Sequence, residues 1–182
     1  MDMRPAFIGI LAALCSLTAA QAARACGPEV VIQFIDSSPD LFIIENRSLE
    51  AWTLVSLEFR AEKSAGRVVF DTDLGGAGAS EPYQFEVVEG EVGLMKAPVV
   101  ADGAEELTLH FANFAPGRKF VFSIDLDDRL ENSAMGQAYV TGDEIAGAEV
   151  TGLFTHPKIG EGRAQGTFGS DGTAHLRGAT CA

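Results

Sequence analysis

Three carboxylates crowd one short stretch of the chain, Asp125, Asp127 and Asp128 in FSIDLDD. A second D-x-D pair, Asp71 and Asp73, precedes the glycine-rich run LGGAG. Carboxylates this close repel one another. Solvent, a basic neighbour such as Arg129, or a bound cation can relieve the repulsion. Calcium suits such a set, because it is hard, takes six to eight oxygens and tolerates irregular loops. Asp143 and Glu144, after Gly142, are further oxygen donors. There is no twelve-residue EF-hand loop ending in glutamate, so a calcium site here would be assembled from strand ends. The metal ligands expected are Asp71, Asp73, Asp125, Asp127 and Asp128. The same residues admit two other uses: an acid/base pair for glycoside hydrolysis, or charge solvated at strand ends.

Other chemistries find little support. His110, His156 and His175 are scattered, with no H-x-x-x-H or C-x-x-C spacing for zinc. No G-x-S-x-G elbow is present. The run Gly75-Gly76-Ala77-Gly78 lacks the lysine of a phosphate loop. One Trp and two Tyr offer few rings to stack on a sugar. The expectation is therefore a protein that is not an enzyme. Asn46-Arg47-Ser48 has the spacing of an N-glycosylation acceptor.

The elements that must hold these carboxylates read as strands. Strand patterns recur about every ten residues, separated by Gly, Pro, Asp and Asn. Expected strands lie at 29–35, 40–46, 52–60, 66–71, 83–88, 137–141 and 148–155. In 105–128, Leu107, Leu109 and Phe111 alternate with polar residues. Ala115-Pro116-Gly117 marks a turn, and Phe120, Phe122, Ile124 and Leu126 alternate on the return. This predicts an antiparallel hairpin with one buried face. A last hairpin is expected from 166–169 and 173–176. With Phe120 through Leu126 facing the core, Asp125 and Asp127 face outward, about 6.5–7 Å apart at Cα. The expected fold class is all-β: a single antiparallel β-sandwich, immunoglobulin-like or jelly-roll-like, with a closed β-barrel as runner-up.

Residues 1–25 have the pattern of a secretory leader: Arg4, an apolar run to Ala20, then Ala20-Gln21-Ala22 and Ala23-Arg24-Ala25 as cleavage motifs. The domain is then 26–182, and the localisation expected is secreted or periplasmic. Cys15 leaves with the leader, and an oxidising compartment favours a disulfide between Cys26 and Cys181. The net charge of −13 disfavours nucleic acid and anionic membranes and attracts cations. No membrane insertion is expected after leader removal, and the partner expected is an extracellular protein or glycan.

Four motifs carry a resemblance to a known family: IENRSLEAWTLVSLEF, FDTDLGGAGASEPYQFEV, ELTLHFANFAPGRKFVFSIDLDD and IAGAEVTGLF. Together they span 41–154 and resemble the aggregation-factor-core-like domain. That domain is known from a sponge cell-adhesion proteoglycan and appears widely in bacterial exported proteins. The most specific motif is the segment F-x-PG-x-x-F-x-F-x-I-D-x-D-D. The resemblance implies an extracellular β-sandwich and, by analogy with the sponge case, calcium-supported adhesion. By position it implies roles for Asp71, Asp125, Asp127 and Asp128. This chain departs from that pattern in being small, with no repeated module or sorting tail. The function expected is a non-enzymatic binding or adhesion module, calcium-stabilised. The alternatives are an exported hydrolase using paired aspartates and a metal-free structural β-protein.

Overall fold

A computed structural model describes residues 27–79 and 81–178. The leader and both cysteines of the expected disulfide, Cys26 and Cys181, lie outside the described residues. The described chain is all-β. Its elements are β1 (Glu29–Ile35), β2 (Leu41–Asn46), β3 (Thr53–Arg60), β4 (Val69–Asp71), β5 (Glu86–Glu89), β6 (Glu106–Phe114), β7 (Lys119–Ser123), β8 (Asp125–Asp127), α1 (Gly142–Ile145), β9 (Glu149–His156), β10 (Gly160–Thr167) and β11 (Thr173–Arg177). Nine strands form one curled antiparallel sheet in the order β5-β7-β2-β1-β11-β10-β9-β3-β6, and β4 pairs with β8 in a separate ribbon. Among the described residues no helix is long and apolar enough to cross a membrane.

Period-two alternation sends one row of each long strand inward. Val30, Ile32 and Phe34 of β1, Phe42 and Ile44 of β2, Leu107, Leu109 and Phe111 of β6, and Phe120 and Phe122 of β7 all lie in one core. Phe42 is its hub. It stacks on Phe122 with ring centroids 4.9 Å apart and meets Phe59 edge-on at 5.7 Å. Such aromatic pairs add about 0.5–1.5 kcal/mol beyond area burial.

The expected 105–128 hairpin is corrected. The turn forms, with Arg118 N–H donating to Ala115 O at 3.2 Å. Yet β6 pairs with β3, and β7 pairs with β2 and β5. The segment after β5 comes between them: Asn113 and Ala112 of β6 donate to Val92 O and Gly93 O, and Met95 N–H donates to His110 O. Alternation specifies which face a residue presents, not which strand it pairs with. The two phenylalanine rows still meet through side chains, Phe111 lying 5.6 Å from Phe120.

Two further expectations change. Residues 137–141 form no strand. Thr141 instead caps α1, accepting from Glu144 N–H while its own N–H donates to the Glu144 carboxylate at 2.7 Å. This is a capping box, T-x-x-E, which satisfies donors that a helix start leaves open. The return strand also splits. β7 stays in the large sheet, Ile124 donates its N–H to Asp40 O at 3.1 Å, and β8 leaves to pair with β4.

Candidate metal centre

The β4–β8 ribbon is short, but its register decides the site. Asp71 stands directly across from Asp125, and Val69 across from Asp127. Phe70 and Leu126 alternate to the other side and are fully buried in the core. The ribbon's apolar face thus anchors it, and its other face carries Asp71, Asp125 and Asp127. Carboxylate oxygens of these three lie within 4.8 Å of one another.

Asp125 and Asp127 are turned away from the core but are not solvated strand-end charges. They are 7 % and 1 % exposed, and Asp71 is 2 % exposed. They do point away from the core, as alternation requires, but the loop 72–79 folds back over them. Ala79 N–H donates to Asp127 Oδ2. Gly78 lies against the Asp71 carboxylate, where a Cβ would come 2.1 Å from Cγ. Only glycine lets the backbone approach so closely. Asp125 N–H donates to Tyr83 O at 3.1 Å and closes another side.

One carboxylate outside the group holds this loop. Asp102 Oδ1 accepts from Thr72 N–H at 2.9 Å and Asp73 N–H at 3.2 Å, and Oδ2 accepts from Ala77 N–H. Those N–H groups, Ala77 first, hold the Asp102 carboxyl below the usual carboxylate range. Arg129 Nη2 reaches Ala77 O at 3.5 Å. No ion pair joins Arg129 to the buried carboxylates among the described residues.

The burial is electrostatically costly. Two full charges 4.8 Å apart repel by about 3 kcal/mol at an effective dielectric constant near 20. Burial, then the charges of Asp127 and Asp71, pushes Asp125 up to about 8. Burial, then Asp127, pushes Asp71 up to about 7. Asp127 is also raised, chiefly by burial. Asp71 Oδ1, Asp125 Oδ2 and Asp127 Oδ1 are buried with no hydrogen-bond partner among the described residues. Buried polar atoms are normally paired, so an orphaned oxygen on each of three clustered carboxylates leaves a place for a partner. This set of hard anionic oxygens can hold a metal ion.

The expected ligands thus divide. Asp71, Asp125 and Asp127 come together. Asp73 is exposed, and what it gives the loop is its backbone N–H. Asp128 is 2 % exposed, lies just past the end of β8 and is not part of the group. Its Oδ1 accepts from Leu130 N–H at 2.7 Å, and Oδ2 has no partner among the described residues. Two further aspartates matter that sequence reasoning misses. One is Asp102, 30 residues from Thr72. The other is Asp40, 2 % exposed, whose Oδ2 accepts from Leu126 N–H at 3.0 Å and which burial pushes up to about 8. Neither stands in a D-x-D pattern, the only signal the acidic residues offer.

The glycosylation spacing marks a structural asparagine. Asn46 is 1 % exposed, and Nδ2 donates to Trp52 O and Phe114 O, both at 2.8 Å. Its amide nitrogen has no room for a glycan. Asn46→Ala removes two buried hydrogen bonds and is expected to cost about 2 kcal/mol, read as a lower denaturant midpoint at unchanged slope.

No family model, curated protein or solved structure matches this chain.

Proposed function

We propose that this is an exported, non-enzymatic binding or adhesion module whose β-domain is completed by a calcium ion held on Asp71, Asp125 and Asp127. The observation that carries the reading is a group of three buried carboxylates on one face of the β4–β8 ribbon, each with an unpartnered oxygen and each offering an oxygen within 4.8 Å of the others. Calcium supplies the positive charge these residues lack. Its tolerance for irregular sites suits two strands and a loop, with backbone carbonyls or waters filling the remaining positions. The leader pattern supports export, and the resemblance to aggregation-factor-core-like domains supports an adhesive role. Thermal unfolding with millimolar calcium against chelator tests the site. A higher midpoint in calcium supports the reading, and coincident melts at pH 8 would sink it in favour of a metal-free structural protein.

A hydrolase is the second reading, favoured by one observation: Asp125 holds its proton up to about 8, where a general acid operates. It requires substrate to reach a carboxylate that is 7 % exposed beneath a loop. Glycosidic turnover lost in Asp125→Asn would establish it over the binding reading.

A further inference from the structure

The three carboxylates cannot by themselves keep their surroundings closed. Asp127 takes one N–H from the loop, that of Ala79. Gly76 N–H donates within the loop to Asp73 O at 2.9 Å, and three further N–H groups converge on Asp102, which gathers Thr72, Asp73 and Ala77 onto two oxygens. The loop is shaped around both carboxylates. A Cβ on Gly76 would come 2.2 Å from Asp102 Oδ2, and one on Gly78 would come 2.1 Å from Asp71 Cγ. Gly103, next to Asp102, donates its N–H to Phe70 O at 2.8 Å, so the Asp102 backbone is fixed to β4 itself. One end of the clamp is therefore the strand that carries Asp71, and the other is the loop that covers it.

We infer that Asp102 is the positioning residue of this ion site, holding loop 72–79 closed over Asp71 and Asp127 and so setting both the tightness of ion retention and the preference for calcium over magnesium. The inference rests on the proposed ion site and deepens it. A closed site strips water from its ion. Magnesium gives up water reluctantly and demands near-ideal octahedral geometry, whereas calcium accepts the irregular oxygens of two strands and a loop. An opened loop admits water, so the site then releases calcium faster and discriminates less.

The test measures calcium and magnesium affinity by titration calorimetry, and calcium release by stopped-flow mixing with a fluorescent chelator. It uses the full mature chain and three variants. Asp102→Asn sets an NH2 against at least one loop N–H. Gly76→Ala keeps the Asp102 charge but occupies the place of its oxygen. Asp73→Asn removes a charge from the same loop whose side chain accepts no loop N–H. Loss of an outer partner typically weakens metal affinity about 10–100-fold. Asp102→Asn and Gly76→Ala are both expected to weaken calcium by that factor, speed its release and narrow the calcium/magnesium ratio, with Asp73→Asn near wild type. If wild type binds calcium and Gly76→Ala retains its affinity, release rate and ion ratio, the clamp is wrong while the ion site stands. If Asp73→Asn weakens calcium as much as Asp102→Asn, the effect is through-space charge and the clamp is again wrong. A wild type that binds no calcium at pH 8 removes the site itself. Melts in chelator accompany each variant, because a purely structural change moves those midpoints and leaves the ion ratio alone.

Discussion

Asp125→Asn combined with Asp127→Asn is expected to abolish any calcium response while raising the stability of the calcium-free protein at pH 8. Both effects come from the same electrostatics. In chelator at that pH, the folded wild type either keeps carboxylates protonated or buries repelling charges. Each charge pair at this separation costs about 3 kcal/mol near a dielectric constant of 20. Asparagine matches the shape of aspartate and carries no charge, so the repulsion goes. The amide oxygen that replaces the Asp127 carboxylate can still accept the Ala79 N–H. Calcium at a hundred times its dissociation constant adds about 2.7 kcal/mol to wild type. For a chain of this size that is a rise of roughly 5–10 °C in midpoint. The variant should melt above wild type in chelator and show no rise in calcium. A double variant that still gains several degrees from calcium would place the ion elsewhere.

The calcium-free protein should lose stability as pH rises from about 4 to 8, the reverse of the usual behaviour of paired carboxylates. Asp40 and Asp125 are each pushed to about 8 in the folded chain, and Asp71 to about 7, all from an ordinary 3.8. Within that window the folded chain binds more protons than the unfolded chain, and stability then falls with rising pH. The contribution is fully present below pH 4 and lost by about pH 8. A shift of this size on Asp40 alone corresponds to at most about 6 kcal/mol. Calcium opposes the trend, because its ligands must be ionised and its apparent affinity grows with pH. Melts at half-unit pH steps should slope downward in chelator and flatten in calcium. A chelator curve that rises toward pH 8 would show that these carboxyls ionise freely in the folded state.

The ribbon's carboxylates are legible because both D-x-D pairs sit at strand ends, and period two puts Asp125 and Asp127 on one face. Their burial is not legible. It comes from a loop that folds back with three of its N–H groups on Asp102, far along the chain. Local patterns carry no record of such a contact. The strands with apolar rows, 29–35, 53–60 and 106–114, are readable for the same reason that they form the core. In GEGRAQGT only Gly166 and Thr167 fall in an expected strand, because the segment lacks that row. In β10, Ala164 faces inward between glycines, and a Cβ on Gly162 would come 2.6 Å from the Trp52 ring. A neighbour's large side chain fills the space that this strand's own would have taken. The capping box at Thr141 and Glu144 is visible, but Ala138, Tyr139 and Val140 before it read as a strand. Only Val140 is buried among them.

The segment that separates β6 from β7 bears on how the domain meets its neighbours. A strand with its second side open is a template on which another chain can add a strand. Here Val92 and Gly93 bond Asn113 and Ala112, and Met95 bonds His110, so much of the β6 rim is already occupied. The stretches left over carry Glu86 and Glu89 on one rim and Glu106 on the other. Acidic side chains there discourage like copies from stacking edge to edge. Acidic rims of this kind leave a crowded population of the domain resistant to edge-to-edge fibre growth.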